Sequence, residues 1–181
     1  MGTAVALHMT AAEFAALPDD SENKRELIDG EVCEVASGGP IHETVKGNIS
    51  LEVAAFVKIH QPKARFQSET RYYLNDIDMF QPDVSLVLSG SLDPKGEGKI
   101  TVVPDLAIEI VSSETAERLL HKIRVLLDSG SRAVVVIYPL DREVFVYRVN
   151  GAERILASGT LRLEDVLPGF EVAASVIFDG I

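Results

Sequence analysis

Two acids and one lysine carry the chemistry legible in this chain. Pro82-Asp83 opens the apolar run Val84-Ser85-Leu86-Val87-Leu88, and Glu109 stands inside Leu106-Ala107-Ile108-Glu109-Ile110-Val111. Lys122 follows Glu109 by 13 residues (122 − 109). A carboxylate within an apolar strand is costly to bury unless it is paired or bound to a cation. Two such acids near one lysine are what a magnesium-dependent phosphodiester-cleaving site requires.

Strand alternation puts Asp105, Ala107, Glu109 and Val111 on one face and Leu106, Ile108 and Ile110 on the other. Glu109 therefore shares its face with small or apolar residues, and something must compensate its charge. Advancing 100° per residue along the next helix, Leu119, Leu120, Ile123, Leu126 and Leu127 form an apolar face with Lys122 on its margin. From there a long-stemmed ammonium reaches back toward the Glu109 strand, whereas Arg118, His121 and Arg124 point outward.

Plainer readings compete. Asp83 after a proline is also a strand initiator, and Glu109 with Lys122 is also a structural ion pair. Asp105 in Pro104-Asp105 is a rival acid, read as a strand-entry residue. His42 stands in the first turn of a long helix, where a lone histidine is usually exposed, and His8, His60 and His121 offer it no metal-ligand spacing. Glu26 alternates with Ile28, which suits a solvated strand face. No phosphate-binding glycine loop, serine elbow or paired CxxC is present, so serine and cysteine hydrolysis have no support.

The elements that must position these groups follow from period and punctuation. Thr10-Ala11-Ala12-Glu13 reads as a capping box opening a short helix stopped by Pro18. Asp29-Gly30 joins strands over 25–28 and 31–35. Ser37-Gly38-Gly39-Pro40 precedes a helix whose stripe is Ile41, Val45, Ile49, Val53 and Val57. Strands are expected over 65–70, 72–74 and 80–88, then a surface loop over 89–99, then the strand of Glu109. Ser112, Ser113 or Thr115 caps the next helix, which ends near Ser129 with Gly130 as its stop. Strands over 133–138 and 143–149 turn near 139–142, Asn150-Gly151 leads to another over 154–157, and the tail 166–178 adds a short edge strand or helix. The expected fold is α/β, a central mixed β-sheet flanked by helices, in one domain spanning 1–181 whose first nine residues are a loosely ordered end.

The 181 residues are 46% hydrophobic and 25% charged, enough to bury a core without disulfides. Cys33 is the only cysteine, read as a buried reduced thiol in a cytoplasmic protein. No apolar run approaches a membrane span, and the N-terminus lacks the pattern of a secretory signal. The net charge of −11 argues against tight, non-specific DNA binding, and Lys24, Arg25, Lys46, Arg71 and Arg118 form no stripe in sequence. A catalytically silent interaction module is therefore the alternative to an enzyme. A homodimer is compatible with the chain, with the apolar tail 172–178 as its candidate contact.

Arg25-Glu26-Leu27-Ile28-Asp29-Gly30-Glu31, His42 at a helix start, Gln81-Pro82-Asp83-Val84, the segment Pro104 to Ser112 and the later Lys122, Gly130 and Pro139 resemble the Uma2 (DUF820) family. Val166-Leu167-Pro168-Gly169-Phe170 fits its C-terminal pattern, so the resemblance covers about 10–178. It implies a restriction-endonuclease-like, PD-(D/E)XK core and a Mg²⁺- or Mn²⁺-dependent endonuclease acting on nucleic acid, DNA first. Asp83 and Glu109 are the implied metal ligands, Lys122 lies at the attacking water, and Glu26 and His42 are accessories. The wider superfamily places its lysine two residues after the acid, where this chain has Val111, so Lys122 must take over. Val135 and Tyr138 replace a tryptophan and an aspartate common in the family, and His121 replaces a glutamate.

Overall fold

The computed structural model describes residues 8–18, 24–35, 38–90, 92–93 and 99–181. Most of the expected loose N-terminal end, Ser37 of the glycine break and most of the 89–99 loop lie outside the described residues.

The first element among the described residues is α1 (Ala11–Ala15), opened by the Thr10–Glu13 capping box. A hairpin of β1 (Lys24–Ile28) and β2 (Glu31–Val35) follows, turning at Asp29 and Gly30, both with positive φ. Then come α2 (Pro40–His60), β3 (Arg65–Ser68), β4 (Tyr72–Tyr73), β5 (Met79–Phe80), β6 (Val84–Val87) and β7 (Leu106–Ile110). The second half holds α3 (Ala116–Ser129), β8 (Ala133–Tyr138), β9 (Glu143–Arg148), β10 (Gly151–Leu156), β11 (Thr160–Arg162), β12 (Glu171–Ala173) and α4 (Ala174–Ile177).

Six strands form a mixed sheet in the order β10-β9-β8-β7-β6-β3, in which β7 and β8 are parallel and the other neighbours antiparallel. A parallel pair needs a crossover, and α3 provides it. All five residues of β7 are buried, as their unbroken apolar run requires for a strand covered on both faces. One cover is α2 with the C-terminal tail, packed on Leu106, Ile108 and Ile110; the other is α3, packed on Ala107, Val134 and Val136. The central mixed sheet flanked by helices is as expected, with Gly130 ending α3 in the left-handed conformation.

Three expectations change. The strand over 80–88 is two strands in two sheets: β5 joins β2-β1-β5-β4, while β6 joins the large sheet. Pro82 has no N–H for a ladder, so the chain switches sheets there, and Asp83 stands at the switch. The α2 stripe starts at His42, which is buried, while Ile41 is 44% exposed. Spacing by four drifts 40° per step, so Ile41 ends about 80° from Ile49 whereas His42 lies about 20° from it. The tail residues Val172, Ala174, Ile177 and Phe178 are spent on the chain's own core, leaving Ala173, Ser175 and Val176 exposed over 172–178, so most of the apolar surface expected for a dimer contact packs within the chain.

Candidate active site

Glu26, His42, Asp83, Glu109 and Lys122 come together from β1, α2, the sheet switch, β7 and α3, and every one is buried. Solvated positions were the plain expectation for Glu26 and His42, and the tertiary structure removes both. Glu26 is enclosed because the β1–β2 hairpin lays its inner face, with Lys24, Ile28 and Cys33, against the end of the large sheet.

Register sets the two acids side by side. Val84 pairs with Ile108 in the antiparallel β6–β7 ladder, so the next step out places Asp83 opposite Glu109. Asp83 Oδ2 accepts the Ile110 N–H at 2.8 Å and a hydrogen bond from His42 Nε2 at 3.2 Å. Its Oδ1 has Lys24 Nζ at 3.7 Å. Burial opposes the Asp83 charge, but His42, Lys24 and the Ile110 N–H outweigh it and hold its pKa below the ordinary carboxylate value. The hydrogen bond to Asp83 in turn raises the His42 pKa against the effect of burial, and Glu43 Oε1, 3.2 Å from Nδ1, adds to it. With a carboxylate at each ring nitrogen, His42 suits the doubly donating imidazolium form.

Lys122 Nζ lies 3.0 Å from Glu109 Oε1, 3.1 Å from Glu26 Oε2 and 3.7 Å from Glu114 Oε1. Burial disfavours its charge, yet Glu109, Glu26 and Glu114 raise its pKa well above the usual lysine value. Carboxylates outnumber this ammonium. Burial therefore pushes Glu109 up to about 8, with Lys122 pulling it down and Asp83 and Glu26 pushing it further up. The other Glu26 oxygen is fixed by the Gln81 N–H at 2.7 Å, so the residue before Pro82 ties the sheet switch to the lysine.

Lys24, His42, Asp83, Glu109 and Lys122 border a cleft of about 220 Å³ lined also by Ser112, Ser113 and Glu114, which Glu26 meets through Lys122. Glu114 and Lys24 were not singled out in the sequence. Lys24 shares the β1 face of Glu26, an alternation that could have marked it, but only folding brings Glu114 to Lys122. Asp105 stays at the start of β7, where it accepts the Leu88 N–H at 2.8 Å and pairs with Arg132 at 3.1 Å. Cys33 is buried, which raises its thiol pKa and suits no nucleophile.

The donor set fits a hard divalent cation. Among the described residues, Glu109 Oε1 is buried without a directed hydrogen bond although Lys122 is near, and Asp83 Oδ1 has only its loose contact with Lys24. Among the described residues, no three His, Cys, Asp or Glu side chains converge as a metal cage. Mg²⁺, which retains waters and takes one or two carboxylates, matches such a site better than zinc.

A family model named Uma2 and described as "Putative restriction endonuclease" matches residues 11–175. Among similar solved structures is a "putative nuclease belonging to DUF820" from Anabaena variabilis ATCC 29413, with a TM-score of 0.82 and 22% identity over 94% of this chain and 97% of that one. At that identity the likeness concerns the fold. No curated protein matches the chain. Among the described residues, no helix is long and apolar enough to cross a membrane.

Proposed function

The chain belongs to the Uma2 family, and on that premise we propose that it is a divalent-metal-dependent endonuclease, with Asp83 and Glu109 as ligands for Mg²⁺ or Mn²⁺. The observation that carries this reading is the buried Lys122 ammonium, held between Glu109 and Glu26 on the cleft that Asp83 also borders. A structural ion pair needs one partner; this lysine has three acids and a cleft. When bound, the ion supplies Lewis-acid polarisation of a phosphate oxygen and a more acidic water.

The protein's own groups do the rest. Asp83 presents Oδ1 to the cleft because Oδ2 is occupied by His42 and the Ile110 N–H, which fixes the carboxylate plane. Lys122 is pre-organised by Glu26, so its charge orients the attacking water and offsets charge building on the phosphate without reorganising. Val111, at the superfamily's usual lysine position, borders the cleft with an aliphatic side chain, so the lysine beside Glu109 is Lys122 of α3. His42 is placed to hold or pass a proton at Asp83. Nucleic acid is the substrate, with DNA the first to test.

Cleavage of single- and double-stranded DNA and RNA with Mg²⁺, wild type beside Asp83→Ala and Glu109→Gln, tests the assignment. Loss of cutting in both variants supports it; an Asp83→Ala protein that cuts as fast as wild type refutes it. Calorimetry that finds no Mg²⁺ or Mn²⁺ binding at millimolar metal would favour the silent module instead.

A further inference from the structure

The face of the large sheet that carries Glu109 does not end at the cleft. Cross-strand register runs in one straight row from Glu109 to Val136, Phe145 and Arg154, through β7, β8, β9 and β10. Opposed residues share a face, and strands lie about 4.8 Å apart, so the row spans about 14 Å. Helix α3 covers its first half. Bordering the helix-covered cluster the face is aromatic: Tyr138 and Tyr147 flank Phe145, with ring centroids 5.6 and 6.2 Å from it, and all three are half-buried against that cluster. The Phe145 and Tyr147 rings are within 24° of parallel, and Leu156, two residues after Arg154 on the same face, is 51% exposed.

This strip adjoins the cleft. Val111 borders the cleft and donates its N–H to the Ile137 carbonyl, directly before Tyr138. At the far end Arg154 is exposed, with Nε and Nη2 engaged by Glu143 and Nη1 outside that pair.

We infer that this aromatic strip is a stacking platform for unpaired bases of a single-stranded stretch of nucleic acid whose backbone enters the cleft, an inference that rests on the nuclease reading. A chain of net charge −11 gains little affinity from phosphate contacts alone, whereas stacking needs no charge and accepts any base. It requires exposed base faces, which a duplex does not present. Arg154 is then placed for a phosphate beyond the stacked bases.

The test is fluorescence anisotropy with a short labelled oligothymidylate and with a blunt duplex of mixed sequence, on the full chain in EDTA at low salt. The single strand binds more tightly than the duplex. Tyr138→Ala and Tyr147→Leu each weaken single-strand binding about tenfold, and Tyr147→Phe restores it. The leucine keeps the apolar packing, so a fall with it reports the ring rather than misfolding. Arg154→Ala lowers the salt slope by about one phosphate contact. Equal affinity for duplex and single strand, or ring variants that bind like wild type, overturns the inference. So does a change in sedimenting mass of the free protein on ring substitution, which would make the strip a subunit contact. Because this readout needs no metal, ring-dependent binding without Mg²⁺ uptake or cutting refutes the nuclease reading and leaves the platform, while cutting that ignores the rings does the reverse.

Discussion

Lys122 of α3 and Glu109 of β7 meet at 3.0 Å with both side chains almost wholly withdrawn from water. The pair joins the crossover helix to the strand it follows, and Glu26 of the other sheet closes the group from behind at 3.1 Å. Removing the cation of such a group strands its carboxylates as uncompensated buried charge.

The Lys122→Met variant therefore loses cleavage by at least a hundredfold and is less stable by about 3–5 kcal/mol. Adding Glu26→Gln recovers part of the stability and none of the activity. Urea unfolding at neutral pH beside a cleavage assay checks both, and a Lys122→Met protein of wild-type stability would contradict the buried-charge account.

Glu109 gives the metal-free protein a definite pH dependence. Its folded pKa, pushed to about 8, exceeds the ordinary 4.5, so the native state binds the proton more tightly. That contribution is fully present below about 4.5 and is lost as pH rises through about 8, a total on the order of a few kcal/mol. Glu109→Gln removes the slope and is more stable than wild type above pH 8 in EDTA, while losing metal binding. Thermal melts of both proteins from pH 5 to pH 9 provide the comparison.

Gly38 protects the His42 geometry. A Cβ at this position would overlap the His42 imidazole. Gly38→Ala should displace the ring from Asp83 and lower activity more than stability. The hydrogen bond to Asp83 raises the His42 pKa, so its NMR titration midpoint falls toward the ordinary histidine value in Gly38→Ala and in Asp83→Asn. Unchanged midpoints would separate His42 from Asp83.

On the proposed metal site, magnesium is expected to stabilise the folded chain by mass action, because the unfolded chain lacks the paired carboxylates. At a concentration 100 times the dissociation constant the gain is about 2.7 kcal/mol. Thermal melts with and without Mg²⁺ show it in wild type and not in Asp83→Ala, and the gain grows with pH as Glu109 gives up its proton.

Local pattern exposed most of the architecture because each signal involves few residues. The Asp29-Gly30 turn, the Thr10–Glu13 cap, the Gly130 stop and the apolar runs of β7 and β8 are decided within a few neighbours of each residue. The misread elements depend on distant partners. Residues 80–88 look like one strand until Phe80 pairs with Tyr72 and Val84 with Ile108 in different sheets. β11 has no local signal of its own because its three residues find their ladder only against β12.

Period and composition alone mark which groups are chemically costly: an acid after Pro82, an acid within an apolar strand and a lysine on the margin of an apolar helix face. These follow from period and composition, which are local. How that cost is met depends on the folded chain. It set Asp83 opposite Glu109 through strand register, enclosed Glu26 and His42, and brought Lys24 and Glu114 to the cleft. Burial and charge pairing are sums over neighbours from many parts of the chain, and no window of sequence contains them.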